Sequence, residues 1–219
     1  MDSNYGFNTT AVRDTRTIVR QLQDAARIRN VVKIAVLGAL GFVLMEMLQI
    51  PIALAPAFMK IDFGDVPALI GGFAMGPVAG VLIELVKNIL KLFTSETVGI
   101  GELSNFIVGT TFVVTAAIIY KRSHTKKGAI IALVAGSLAM SCVAVLSNTF
   151  FIFPAYAAAV QLDLDVLSTQ IGAANGLVKN YATLMLFSVF PFNLIKTALA
   201  SLVTFAIYKR ISPILKNWN

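Results

Sequence analysis

The stretch AIIALVAGSLAMSCVAVLSNTFF, residues 129–151, contains no charged side chain and indicates the class of fold. A helix that crosses the hydrocarbon core of a bilayer needs about 20 consecutive, mostly apolar residues. The whole chain has this character, since 57% of its 219 residues are hydrophobic and 13% are charged. A soluble domain averages roughly 25% charged residues. The composition therefore predicts one all-α integral membrane bundle.

Five further apolar stretches extend this prediction to six transmembrane helices. The run 181–208 would reach about 42 Å as one helix, which is too long for one span. We expect it to break at Pro191, with a lid or shallow helix before the proline. The six-helix domain would cover 31–210, between an extension at 1–30 and a tail at 211–219. The other five spans are 31–50, 66–75, 78–93, 106–120 and 129–151.

The basic residues predict how the bundle is oriented. Cytoplasmic loops of membrane proteins carry an excess of Lys and Arg. With six spans, the basic groups before span one, between spans four and five, and after span six fall on one side. This predicts a multi-pass membrane protein with both termini in the cytoplasm. The first thirty residues are too polar for a secretory signal. Within them, residues 15–28 fit either an interfacial helix or a solvated tail.

Several classes of function lack their sequence signatures. No GxxxxGK[ST], HExxH or GxSxG motif is present, which argues against a nucleotide site and against hydrolytic catalysis. Cys142 and His124 are the sole residues of their types, so no disulfide framework, CxxC pair or His-based metal site is expected. We therefore expect no enzyme, no cofactor and no metal, and any transport must draw its energy from a partner or an ion gradient.

Polar side chains within the apolar stretches are the candidate ligand-binding residues, because polar groups are costly in hydrocarbon. Asn193 and Lys196 are three residues apart and share a helical face. Asn148 falls at a similar depth, with Phe150 and Tyr156 nearby in sequence. This pattern fits an aromatic pocket for a flat ligand with a few polar anchors. Interhelical hydrogen bonds and a snorkelling lysine are the alternative.

Two further groups have a stronger structural alternative. Lys87 can bind ligand, or it can pair with Glu84 one helical turn away. Glu102 and Asn105 can contact ligand at the outer mouth, or they can cap the start of span four. Asp62 and Asp65 are expected to form a turn or lid in an outer loop. Ala35 and Ala39 in span one form a small-xxx-small pair, which lets another helix approach closely.

Several segments together resemble the S components of energy-coupling-factor (ECF) vitamin transporters, and most closely the riboflavin-specific branch. The AxxxA pair of Ala35 and Ala39 is general to that family. More specific are GELSNFIVG and the NLIK that follows a proline. The segments are DFGDVPALIGGFAMGPVAG (62–80), LVKNILKLF (85–93), GELSNFIVG (101–109), NTFFIFPAY (148–156) and PFNLIK (191–196).

The resemblance implies a small prokaryotic membrane subunit that captures riboflavin from outside. Asn148, Asn193 and Lys196 match ligand-contacting positions of the family. The AxxxA face would dock on a transmembrane coupling subunit joined to two ATPase subunits, and the loaded S component would topple in the bilayer. The residues themselves leave the vitamin open, since Lys196 would suit the carboxylate of pantothenate or the phosphate of flavin mononucleotide (FMN). An independent ion-coupled transporter is a further alternative, although no inverted repeat is apparent.

Overall fold

The computed structural model describes residues 9–53, 55–161 and 163–217, which are almost entirely helical. Two π-helical segments, Asn148–Ile152 and Met185–Val189, interrupt the α-helices. A two-residue antiparallel pair joins β1 (Ile50–Pro51) to β2 (Lys60–Ile61). The helices are α1 (Thr9–Met47), α2 (Asp65–Met75), α3 (Pro77–Leu92), α4 (Ile100–Arg122), α5 (Lys126–Ser147), α6 (Phe153–Val160), α7 (Leu164–Ala174), α8 (Tyr181–Leu184) and α9 (Phe190–Asn217).

Four stretches within the described residues are long and apolar enough to cross a membrane, which agrees with a helical membrane protein. They are Arg27–Met47, Ile100–Arg122, Lys126–Val160 and Tyr181–Tyr208. Helices α2 and α3 form where spans two and three were predicted, but they contain 11 and 16 residues. At 1.5 Å per residue they measure only about 16 and 24 Å. The count of six spans therefore stays a prediction.

The predicted boundaries at residues 30 and 210 both lie inside helices. Helix α1 begins at Thr9 and continues without interruption through the first apolar stretch. The segment 15–28 is thus helical, and its contact with the membrane interface stays a prediction. Residues 1–8 of the predicted extension lie outside the described residues. Helix α9 extends to Asn217, and the last two residues of the predicted tail also lie outside them.

The predicted break at Pro191 is wrong, because the chain is helical from Tyr181 through Pro191. A proline in a helix cannot donate to the carbonyl four residues earlier, here that of Phe187. The wider π-helical turn Met185–Val189 directly precedes Phe190 and Pro191 and accommodates the ring. The Asn175 side-chain amide donates to the Phe187 carbonyl oxygen at 2.9 Å, which replaces the missing bond.

Helix α2 lies at the centre of the bundle and contacts α1, α3, α4 and α9. Its residues from Asp65 to Phe73 are all buried. Gly76, with φ of +101°, makes the tight turn into α3, a conformation that L side chains rarely adopt. The core around α2 includes Leu69, Ile83, Phe112, Val113 and Val189. This packing holds α2 against both α3 and α9.

The two ends of the bundle differ in chemistry. At one end the rings of Phe73, Tyr120 and Tyr208 pack together, with centroid distances of 4.5 to 5.5 Å. The basic residues Lys121 and Arg122 directly follow Tyr120, so they belong to this end. At the other end lie the C-terminal part of α1, the β1–β2 hairpin and the N-terminal turns of α4 and α9. A cavity opens among these elements.

Candidate functional site

The cavity has a volume of about 850 Å³, including the part that is open to solvent. Its wall mixes apolar side chains with a few buried polar ones. The lining residues are Met45, Gln49, Phe58, Met59, Lys60, Asp62, Lys91, Glu96, Thr97, Gly101, Glu102, Ser104, Asn105, Val108, Asn148, Ile152, Phe192, Asn193 and Lys196.

Lys196 is buried in the cavity wall beside two carboxylates. Its Nζ lies 2.9 Å from Asp62 Oδ2 and 3.7 Å from Asp65 Oδ2, and it also donates to Asn105 Oδ1 at 3.4 Å. Asp62 Oδ1 accepts the backbone N–H of Gly64 at 2.8 Å, which fixes the carboxylate in the turn before α2. The lysine therefore faces the cavity as half of an ion pair. It does not snorkel to the membrane surface.

A second buried cluster lies directly behind this pair. Lys87 contacts Asp65 Oδ1 and lies 2.7 Å from Glu84 Oε2, and all three side chains are fully buried. The predicted pairing of Lys87 with Glu84 is confirmed. Lys87 is not part of the cavity lining, so it does not face the cavity as predicted. Any effect of Lys87 on a bound ligand would be transmitted through Asp65 and Lys196.

Asn148 and Asn193 line the cavity from two different helices. Asn148 Nδ2 donates to the Ala144 carbonyl at 2.7 Å, and Asn193 Nδ2 donates to the Val189 carbonyl at 2.8 Å. Each side-chain amide has two donor hydrogens and an acceptor oxygen, so each retains capacity for a ligand. The π-helical segments that end near Ile152 and Val189 bring these side chains to the same cavity. Such π-bulges are frequent at functional sites.

The mouth of the cavity carries two more ion pairs. Lys60 Nζ on β2 lies 2.7 Å from Glu96 Oε2 in the loop before α4. This hydrogen bond and the lysine charge lower the pKa of the exposed Glu96 carboxyl. Lys91 Nζ lies 2.7 Å from Glu46 Oε2, a residue whose role the sequence does not reveal. The Lys60 pair connects the hairpin to the α3–α4 loop across the opening.

Glu102 and Asn105 both line the cavity. Glu102 lies in the first turn of α4, where its Oε2 accepts hydrogen bonds from the Ser95 and Thr97 hydroxyls, both at 2.9 Å. The alternative that Asn105 caps this helix is wrong, because α4 begins at Ile100. Asn105 lies more than a turn inside the helix and instead contacts Lys196.

The two aromatic residues predicted from the sequence, Phe150 and Tyr156, do not line the cavity. Phe150 is 66% exposed and is not part of the cavity lining. Tyr156 also lies outside the lining, but its ring packs on Phe58 with a centroid distance of 4.6 Å. Phe58, which the sequence analysis did not select, lines the cavity together with Phe192. Aromatic character is therefore present, but it comes from the hairpin and from α9.

Asp62 lies in a turn, as predicted, but the sequence analysis missed its pairing with Lys196. Its side chain is only 5% exposed. The available signal was the lysine itself, because a charge inside the membrane requires a partner of opposite sign. Ala35 and Ala39, by contrast, are exposed on α1, so a small-residue face is available there to another helix.

Comparison with known proteins agrees with this architecture. A family model described as "ECF transporter, substrate-specific component" matches residues 29–208. The riboflavin transporter RibU of Staphylococcus aureus is 31% identical over 188 residues, which is 86% of this chain and 93% of that protein. The riboflavin transporter FmnP of Bacillus subtilis is 31% identical over 193 residues, which is 85% of this chain and 94% of that protein.

The fold also matches a solved structure. That chain comes from work on the structure and mechanism of the S component of a bacterial ECF transporter. The match has a TM-score of 0.68 and 30% sequence identity, and it covers 87% of this chain and 99% of the solved one. The chain therefore belongs to the substrate-specific components of ECF transporters.

Proposed function

We propose that this chain is the high-affinity riboflavin-binding subunit of an ATP-driven ECF importer in the prokaryotic plasma membrane. The observation that carries the proposal is a cavity in which Asn148, Asn193 and Lys196 converge, in a chain related to two riboflavin transporters. Phe58, Met59 and Phe192 would contact the flavin ring. The amides of Asn148, Asn193 and Asn105 would bond to its polar edge and to the ribityl hydroxyls.

The topology in this proposal has six membrane segments with both termini in the cytoplasm. Helices α2 and α3 would cross together as a short pair, since α2 is enclosed by neighbouring helices and need not match the lipid thickness alone. The cavity would then open outward, opposite the basic residues of the α4–α5 loop. This orientation suits capture of a vitamin from outside the cell.

The partners in this proposal are a transmembrane coupling subunit and two ATPase subunits that hydrolyse ATP. Ala35 and Ala39 would form part of the docking face for the coupling subunit, because small residues let helices approach closely. The chain itself would catalyse no reaction and would need no cofactor. Riboflavin would be its transported ligand.

Two alternatives within the same fold are pantothenate and FMN, which both carry an anionic group that a lysine could bind. An independent ion-coupled transporter is a third alternative, and it would import the ligand without ATPase partners. Because Lys196 is paired with Asp62, an uncharged ligand is favoured over an anionic one.

The test is the visible spectrum of the protein purified in detergent, followed by a titration of the apo protein with riboflavin that follows flavin fluorescence. We expect a yellow preparation, or saturable quenching that excess pantothenate does not reverse. A colourless protein that fails to quench riboflavin would refute the ligand assignment. For the partners, uptake into proteoliposomes should require the coupling and ATPase subunits together with ATP, whereas uptake by the chain alone would contradict the ATP-driven complex.

A further inference from the structure

The charges that line the cavity are balanced in an unusual way. Each of its three lysines has a carboxylate oxygen within 2.9 Å: Lys60 with Glu96, Lys91 with Glu46, and Lys196 with Asp62. Glu102 adds a further carboxyl group, which accepts hydrogen bonds from two neutral hydroxyls. The lining therefore offers an entering ligand no unpaired cation, and its summed charge is not positive.

The balance is most important at Lys196, where solvent is excluded. The side chains of Lys196 and Asp62 are 6% and 5% exposed, so the attraction between them is weakly screened. Asp65 contributes a second carboxylate 3.7 Å from the same Nζ. An anion that approached this lysine would come close to both carboxylates. Juxtaposed like charges in a desolvated site are strongly unfavourable.

We propose that Asp62 is a specificity-determining residue, which neutralises Lys196 and so makes the cavity reject anionic analogues in favour of an uncharged ligand. The inference rests on the proposed function and deepens it. A phosphorylated flavin would be discriminated against by charge, although its ring and sugar chain present the same groups. A vitamin carboxylate would be rejected for the same reason.

The substitution Asp62→Asn tests this role with little change in shape. An asparagine oxygen can still accept the Gly64 N–H, so the turn before α2 is preserved. The nearer of the two negative charges beside Lys196 is lost, so only Asp65 at 3.7 Å remains and the ammonium can attract an incoming anion. The experiment measures the dissociation constants of riboflavin and FMN by fluorescence quenching, for wild type and variant in the same detergent. These two ligands differ in the phosphate, so the ratio of their constants isolates the effect of charge.

We expect wild type to bind riboflavin at least tenfold more tightly than FMN, and Asp62→Asn to reduce this ratio by about tenfold or more. Adding Lys196→Met to Asp62→Asn should remove the gain in FMN affinity, because the gain requires the freed ammonium. Glu96→Gln is the matched control. It also removes a lining carboxylate paired with lysine, but one that is 66% exposed, so the ratio should hardly change.

Four results would overturn the inference. The first three leave the proposed riboflavin binding intact, whereas the fourth refutes both. Equal binding of the two flavins by wild type would refute the discrimination. An unchanged ratio in Asp62→Asn would refute the role of Asp62. Loss of both ligands by a variant that still unfolds at the wild-type temperature would make Asp62 a direct ligand contact. Wild-type protein that binds neither flavin would refute the riboflavin assignment, and with it this inference.

Discussion

Lys87 shows how this bundle accommodates a charge in its interior. Its ammonium lies between Asp65 and Glu84, and none of the three side chains is exposed to solvent. A buried ion pair contributes little net stability compared with a well-packed apolar group, but removing one partner leaves the other charge uncompensated. Lys87 is thus needed to compensate the buried charge of its carboxylate neighbours.

Replacing Lys87 by methionine should therefore destabilise the protein, although the two side chains are similar in length. We expect a loss of about 3–5 kcal/mol, the usual cost of leaving a buried charge without its partner. The measurement is the thermal unfolding midpoint in detergent. Lys60→Met is the matched control, because it breaks a pair whose side chains are 29% and 66% exposed and should cost at most about 1 kcal/mol. Equal midpoints for the two variants would contradict this account.

Two interrupted helices carry Asn148 and Asn193 to the cavity. In each, a π-helical segment ends two residues before a proline, Pro154 or Pro191. Each proline leaves a backbone carbonyl without its usual donor. At Pro191 a side chain replaces this donor, since the Asn175 amide donates to the Phe187 carbonyl at 2.9 Å. Near Pro154 the Tyr181 hydroxyl donates to the Thr149 carbonyl at 2.9 Å, within the π-helical segment. The distorted turns are therefore held in place by specific hydrogen bonds.

Replacing Asn175 by alanine should loosen the second of these segments. The substitution removes the hydrogen bond to the Phe187 carbonyl, worth about 0.5–1.5 kcal/mol, and also the bond that Asn175 Oδ1 accepts from the Leu177 N–H. We expect faster amide hydrogen exchange over Met185–Val189, while residues 129–147 of α5 stay protected. Gln170→Ala, at an exposed position of α7, is the control and should leave both regions unchanged. Faster exchange that is uniform over the whole chain would show that Asn175 does not act on this segment.

At the scale of the whole molecule, hydropathy and charge were sufficient to predict a helical membrane protein. The long apolar stretches correspond to α1, α4, α5 and α9, because burial of apolar side chains in lipid is reflected directly in composition. The exact ends of the helices were less predictable. A break was expected at Pro191, and the π-helical turn that accommodates this proline is stabilised by Asn175, which directly follows α7 and is distant in sequence.

Part of the cavity lining was predictable from the sequence. Asn148, Asn193, Lys196, Glu102 and Asn105 stood out because they are polar side chains within or beside apolar segments, and all of them line the cavity. Phe58 and Asp62 lie in or directly after the hairpin, outside the apolar helices in which a polar side chain stands out. Their role depends on how the hairpin folds over the bundle, and local sequence does not encode that contact.

The central claim is that a flavin binds in this cavity, against Asn193. The most direct test is the riboflavin quenching titration of wild type, Asn193→Ala and Thr204→Val. Thr204 is a fully buried polar residue of the same helix that lies outside the cavity lining, so its variant controls for general damage to α9. The account predicts that Asn193→Ala weakens riboflavin binding by about tenfold or more, since a ligand hydrogen bond is lost in a desolvated site, while Thr204→Val binds as wild type does. Equal affinities for Asn193→Ala and wild type would contradict it.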